Sequence, residues 1–182
     1  MPTSSSVNAG SSLLNAGFIR RIRQNHAVEH ATITVLMARE RNVSLLGGRS
    51  NHLGFSIYGR VETAALQAAV AEALARLQSG EAGLAIHPNC GTNLVATGTL
   101  AGLAVMTTTA IARWRRASVV DRVALGILAA TAAIVAGRPL GFRLQRSVTT
   151  LADVNDLRLG LITRRQIGRF MVHFVTIEAM PR

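Results

Sequence analysis

Residues 92–112 read TNLVATGTLAGLAVMTTTAIA, 21 positions without a charge. A helix rises about 1.5 Å per residue, so this run spans roughly 30 Å, the thickness of a bilayer's hydrocarbon core. Arg113, Trp114, Arg115 and Arg116 follow at once, the basic and aromatic flank of a helix leaving lipid. A second apolar run covers Val119 to Gly137. Only its first turn is charged, by Asp121 and Arg122, and Arg138-Pro139 closes it. Its strictly apolar part, 123–137, is short for a span, but Arg122 can snorkel to the interface. Together the runs predict a transmembrane helical hairpin over 92–140. Gly98 and Gly102, Gly126 and Ala130, and Ala133 and Gly137 repeat a small-xxx-small spacing. Such faces pack the hairpin on itself or build an oligomer.

The composition agrees with a membrane location. Of 182 residues, 49% are apolar and 16% charged, against roughly 25% charged in an ordinary soluble domain. That balance excludes a disordered chain, and a single cysteine, Cys90, excludes a disulfide scaffold. The net charge is +11, and every basic residue is arginine. A single-strand nucleic-acid reader interleaves aromatics with basics, whereas aromatics here are 4% and the arginines are scattered. The expected partner is therefore the lipid bilayer and not nucleic acid, with room for a membrane-protein partner or substrate.

On either side of the hairpin the patterns are those of a small mixed domain. Residues 1–15 are Ser-, Gly- and Asn-rich, a flexible tail. Phe18 to Arg41 reads as a helix, with Ile19, Ile22, His26, Glu29 or His30, Ile33 and Met37 on one stripe. Asn42 to Arg49 reads as a turn region. From Leu53 to Val61 the period is two, a half-buried strand. Glu62 to Ser79 is an alanine-rich helix with a stripe of Leu66, Ala69 or Val70, Ala73 and Leu77. Gly83 to His87 reads as a short strand. Leu157 to Leu161 and Met171 to Ile177 alternate around a turn at Thr163 to Gly168, a β-hairpin. The predicted fold is α+β: a tail (1–15), a helix-strand-helix-strand half (16–91), the hairpin (92–140), and C-terminal strands (141–182) completing the domain. Both ends then share one side of the membrane. The Arg cluster at 20–23 follows rather than precedes any apolar stretch, so no signal peptide is expected. That places the soluble part in the cytoplasm of a bacterium, on its inner membrane.

The strongest chemical signal is His26-Ala27-Val28-Glu29-His30, an H-x-x-E-H. On a helix His26 and His30 lie one turn apart on one face. Two imidazoles at that spacing occupy two corners of a tetrahedral metal, Zn²⁺ being the expected ion. Glu29 is the candidate general base for water on the metal. A third ligand is needed. His87 and Cys90, in the turn His87-Pro88-Asn89-Cys90-Gly91 just before the apolar run, are the candidates. One of them leaves the fourth position open, as in an enzyme. Both of them close the site, as in a structural clasp. The alternative without metal is a hydrogen-bonded Glu–His core cluster. His52 reads as a surface or turn residue and His173 as a core histidine. Arg20, Arg21 and Arg23 read as a solvated or lipid-facing collar.

The blocks Asn25-His26-Ala27-Val28-Glu29-His30-Ala31-Thr32, Leu46-Gly47-Gly48-Arg49-Ser50 and His87-Pro88-Asn89-Cys90-Gly91-Thr92-Asn93 resemble a bacterial membrane-protein family. It is known only as a domain of unknown function and is widespread in phototrophic bacteria. The resemblance covers roughly residues 18 to 180. The two His-containing blocks are also similar to those of bacterial membrane proteins labelled predicted metal-dependent enzymes, which carry H-G-A-E-H and H-P-R-C-G-T. On this chain those positions are His26, Glu29 and His30, then His87, Cys90, Gly91 and Thr92. Val28 and Asn89 depart from that pattern. The resemblance implies a membrane location and a metal site, and supplies no reaction. Two functions stay open: a membrane-embedded metal-dependent hydrolase or peptidase, and a non-enzymatic membrane scaffold or assembly factor pinned by a structural metal or a His/Glu/Cys clasp. A third, a basic binder of lipid or nucleic acid without metal, predicts salt-dependent binding that survives loss of His26.

Overall fold

A computed structural model describes residues 14, 16–39, 47–168 and 170–181. The sequence readings of 1–13 and 42–46 fall outside the described residues. The chain divides into two units: Met1–His87 with Arg146–Arg182, and Pro88–Gln145.

In the first unit, helix α1 (Gly17–Arg39), strands β1 (Gly47–Ser50) and β2 (Gly54–Tyr58) and helix α2 (Thr63–Gln78) precede a 3-10 turn at Ala82–Ala85. Strands β3 (Leu157–Ile167) and β4 (Phe170–Ala179) end it. The four strands form one antiparallel sheet, ordered β1-β2-β4-β3. Period-two burial puts Phe55 and Ile57 of β2, and Val175 and Ile177 of β4, into one core with both helices. Leu66, Ala69, Val70, Ala73 and Leu77 line the buried stripe of α2, as its sequence spacing predicts. Helix α1 is enclosed more fully than a stripe. Ala27, Val28, Ala31, Val35 and Leu36 are at most 1% exposed, and Gln24, Asn25 and Thr32 are buried with them.

Two of those buried polar groups of α1 reach distant hydrogen-bond acceptors. Gln24 Nε2 donates to the Asp153 carbonyl and to Asp156 Oδ1, both at 2.8 Å. Asn25 Nδ2 donates to the Asn51 carbonyl at 2.8 Å. Arg23 is not part of an exposed collar. It is 8% exposed and donates to the carbonyls of Ser147 and Thr150, at 3.1 and 3.2 Å. Arg20, half-buried, pairs with Asp153. Desolvation, with Arg20 nearby, lowers the Arg23 pKa, and the carbonyl and carboxylate acceptors that Arg23, Gln24 and Asn25 reach explain why these polar side chains belong inside.

Four local readings are corrected here. Gly47–Ser50 is a strand and not part of a turn, because β2 supplies its hydrogen-bond ladder; two glycines carry no side chain that could announce a strand. Gly83–His87 is not a strand. The chain reverses at Gly80 (φ +99°) and tightens into the 3-10 turn. The β3–β4 turn is shorter than 163–168, since Thr163–Ile167 pair with Phe170–Phe174 and the reversal falls at Gly168 (φ +59°). The second apolar helix does not stop at Arg138-Pro139.

In the second unit, α3 (Gly91–Trp114) and α4 (Val119–Leu144) pack along each other, joined by a four-residue connection. Both are long and apolar enough to span a membrane. Pro139 lies inside α4. It removes one backbone donor, yet the helix runs on and ends in a π turn, Gln145–Thr149. The hydroxyls of Thr97, Thr109 and Thr131 each donate to the carbonyl four residues back, so these three bring no unpaired hydroxyl to an apolar surface. Large apolar side chains such as Leu94, Val95, Met106 and Leu128 point outward.

The small-residue faces divide. Gly126, Gly137 and Gly141 are buried within the unit. A Cβ at Gly137 would sit 2.8 Å from Leu100 Cδ1, and one at Gly141 would collide with the Asn93 side chain and lie 3.1 Å from its Cα. Nothing approaches Gly98 or Gly102 within 4 Å. Gly141→Val is therefore expected to weaken hairpin packing by about 1–3 kcal/mol, read as a lower melting temperature in detergent. Gly98→Val and Gly102→Val are expected to leave that temperature unchanged.

Candidate metal centre

One and a quarter turns of α1 carry His26, Glu29 and His30, and backbone carbonyls from two distant segments fix the rings. His30 Nδ1 lies 2.7 Å from the Ala85 carbonyl in the 3-10 turn. His26 Nδ1 lies 2.9 Å from the Thr149 carbonyl. A carbonyl only accepts, so each Nδ1 carries a proton, and in the neutral ring Nε2 then carries the lone pair. That is the tautomer a metal-binding histidine uses, with its other ring nitrogen oriented by a backbone oxygen. The two rings meet edge to face, centroids 4.3 Å apart. His87 approaches from beyond the 3-10 turn, its ring 5.8 Å from that of His30.

Cys90 is 6% exposed and caps the start of α3. Its Sγ accepts from the Thr92 amide at 3.4 Å. Asn93 Nδ2 donates back to the Pro88 carbonyl at 2.8 Å, which stiffens the Pro88–Asn93 turn. The ligand atoms of His26, His30 and Cys90 lie within 4.8 Å of one another. Ligands on a tetrahedral zinc stand roughly 3.3–3.7 Å apart, given bonds of about 2.0–2.3 Å. This His/His/Cys cluster could hold a metal ion.

Glu29 is 4% exposed and does not join that group. Its carboxylate accepts the Ser50 hydroxyl from β1. Gly48, on the same strand, comes so close that a Cβ there would overlap the carboxylate. Strand β1 thus forms a cradle for Glu29, one that needs glycine at 48 and a hydroxyl at 50. Neither residue stood out in the sequence as a functional one, because the Glu29–Ser50 link joins a helix to a strand across 21 positions. The Ala85 and Thr149 carbonyls were equally silent, since any residue type supplies a carbonyl.

The other two histidines lie elsewhere. His52 is exposed and stacks at 5.0 Å on Phe18. His173 is fully buried in β4, with Nε2 3.1 Å from Thr63 Oγ1. Desolvation lowers its pKa, the charge of Arg164 adds to that, and Glu62 opposes it. A neutral core histidine results.

A family model for a domain of unknown function, DUF6391, matches residues 21–162. The chain belongs to this family. The match contains all but the first turn of α1, with the H-x-x-E-H, β1 with Gly48 and Ser50, the His87–Cys90 turn and both apolar helices. The chain is also similar to a Picosynechococcus protein described as uncharacterized, with 39% identity over 145 residues, covering 74% of this chain and 68% of that one. No solved structure matches.

Proposed function

We propose that this is an integral membrane protein that binds one Zn²⁺ through His26, His30 and Cys90 and acts as a metal-dependent hydrolase, its substrate held where the chain meets the membrane. The observation that carries the reading is the pair of Nδ1–carbonyl bonds, at 2.7 and 2.9 Å, which leave both Nε2 atoms as lone-pair donors on one helix face. A hydrogen-bonded core cluster without metal has no need for two histidines in the same tautomer one turn apart.

A zinc held by His26, His30 and Cys90 would leave a fourth position for water and would supply the Lewis acidity that lowers a water pKa. Glu29 would be the general base for such a water, its carboxylate oriented by the Ser50 hydroxyl of β1. The scissile bond is of the amide or ester class, which such a centre hydrolyses. Helix α3 starts one residue after Cys90, so a ligand on Cys90 ties the centre covalently to the first span. Two spans return the chain to the side it left, and we place the soluble unit in the bacterial cytoplasm.

The second reading rests on His87, whose ring stands 5.8 Å from His30. If His87 ligates together with Cys90, the site is closed, and the metal is a clasp in a membrane scaffold. Cobalt substitution of the purified full chain separates the two. The enzyme reading expects a sulfur-to-cobalt charge-transfer band that is absent in Cys90→Ser. It also expects visible bands that shift when a hydroxamate is added. A charge-transfer band with visible bands indifferent to the hydroxamate supports the clasp. Loss of the band in His87→Ala as well as in Cys90→Ser points the same way. No cobalt uptake by the folded wild-type chain overturns both.

A further inference from the structure

We propose that the loop end of the hairpin binds an anionic phospholipid, with the lipid phosphate held by Arg113 and Arg122 and an acyl chain lying between α3 and α4. This rests on the membrane reading above and goes beyond it. A groove of about 840 Å³ runs between the helices. Val105, Thr109, Gly126 and Ala130 line it, and Arg113 and Arg122 line it too. Arg113 is in the last turn of α3 and Arg122 in the first turn of α4, so both charges lie at the loop end. Gly126 and Ala130 are small enough to leave the channel between the helices. Thr109 spends its hydroxyl on the Val105 carbonyl, so the wall offers apolar surface to a hydrocarbon chain.

The charge at that end is unbalanced. Arg113, Arg115, Arg116 and Arg122 face a single carboxylate, Asp121, which accepts the Ser118 hydroxyl at 2.7 Å. Among the described residues none of these four arginines forms an ion pair. Arg122 adds an independent sign: its Nε is buried and has no hydrogen-bond partner among the described residues. A guanidinium at the edge of hydrocarbon needs an anion or water for its donors. A phosphate diester offers oxygens in the geometry that a guanidinium fork matches. Basic clefts between membrane helices are suited to acidic headgroups for that reason. A second groove, of about 470 Å³, opens between the same helices beside Leu103, Thr107 and Gly137. It has no charged lining residue and provides the contrast: it accepts acyl chains without regard to headgroup.

The test uses the full chain purified in a non-ionic detergent. Native mass spectrometry counts adducts with phosphatidylglycerol, phosphatidylcholine and glycerol 3-phosphate, and flotation with phosphatidylcholine vesicles reports insertion separately. Each basic residue near a lipid headgroup contributes roughly fivefold, so phosphatidylglycerol is expected to bind about tenfold or more better than phosphatidylcholine. That preference is expected to vanish in the Arg113→Gln/Arg122→Gln double variant and to persist in Arg138→Gln, at the other end of α4. Gly126→Leu, which fills the groove, is expected to lower phosphatidylglycerol binding with the arginines intact. Equal binding of both lipids overturns the proposal, as does a double variant that keeps the preference. Displacement of the lipid by an equal concentration of glycerol 3-phosphate assigns the arginines to free phosphates and also overturns it. Dimers that form through the groove and exclude lipid assign the face to a second copy, with the same consequence. Failure to float with any vesicle overturns the membrane reading instead.

Discussion

His30→Ala is expected to strip the chain of its metal. Elemental mass spectrometry on detergent-purified wild type should find about one zinc per chain, the stoichiometry of a single tetrahedral site. The variant should hold less than about a tenth of that. Loss of a residue that only orients a ligand lowers metal affinity by roughly 10- to 100-fold, and in the proposed centre His30 is a ligand itself. It is 2% exposed, and its orienting bond to Ala85 is the shorter of the two histidine–carbonyl bonds, at 2.7 Å. Removing it also leaves the Ala85 carbonyl without that donor, at a cost of about 1–3 kcal/mol. Circular dichroism at the assay temperature must therefore show the variant folded. His26→Ala provides a second variant, half-buried and less costly to the core. His52→Ala, at an exposed position, should keep its zinc. Full zinc in folded His30→Ala and folded His26→Ala would sink the metal reading.

Gly54→Val should abolish the folded soluble unit. Gly54 begins β2 and stands opposite Thr176 of β4. A Cβ there would overlap the Val175 carbonyl and lie 3.1 Å from the Thr176 Cα. These are backbone atoms of a central strand pair, so no rotamer change relieves the clash. The alternative is to break the β2–β4 ladder, which carries Phe55, Ile57, Val175 and Ile177 into the core. Overpacking of a core costs about 1–3 kcal/mol. A collision with main chain exceeds that and consumes much of the roughly 5–15 kcal/mol that holds a domain together. The loss propagates to the site, because β1 is held by β2 and brings Ser50 and Gly48 to Glu29. Limited proteolysis should cut the variant throughout residues 47–87 while the wild type resists. Gly83→Val is the comparison, with nothing within 4 Å of the added carbon, and it should behave as wild type. A Gly54→Val chain as resistant as wild type would show that the strand pair can shift to admit a side chain.

The sequence was most legible where a residue's environment follows from its neighbours in the chain. Helix α2 was read to within a residue at each end, because a 3.6-residue stripe depends only on local spacing. The existence of the two apolar helices was legible as well, because length against the bilayer needs no tertiary partner, although the second runs on to Leu144, past the expected stop at Arg138-Pro139. His26, Glu29 and His30 were found for that reason too: three residues of one helix are close whatever the rest of the fold does. Reading failed where an element exists only through a distant partner. Strand β1 is two glycines, an arginine and a serine, and becomes a strand because β2 pairs with it. Thr163–Ile167 reads as a polar turn and is a strand because β4 lies beside it. Pro139 is a local stop signal that the long packed helix α4 overrides, and Arg23 is a charge that carbonyls more than 120 residues away bring inside.

By itself, then, the sequence determined the architecture of two apolar helices interrupting a mixed helix-and-sheet domain, and the residue types able to bind a metal. Periodicity, run length and one-turn spacing are properties of a chain segment alone. The tertiary structure decided the histidine tautomers, through the carbonyls of Ala85 and Thr149, and the tether of Glu29, through Ser50 and the space at Gly48. It also decided which glycines pack the hairpin and which stay open. Each of those depends on an atom contributed from elsewhere in the chain, at a distance that only the fold sets.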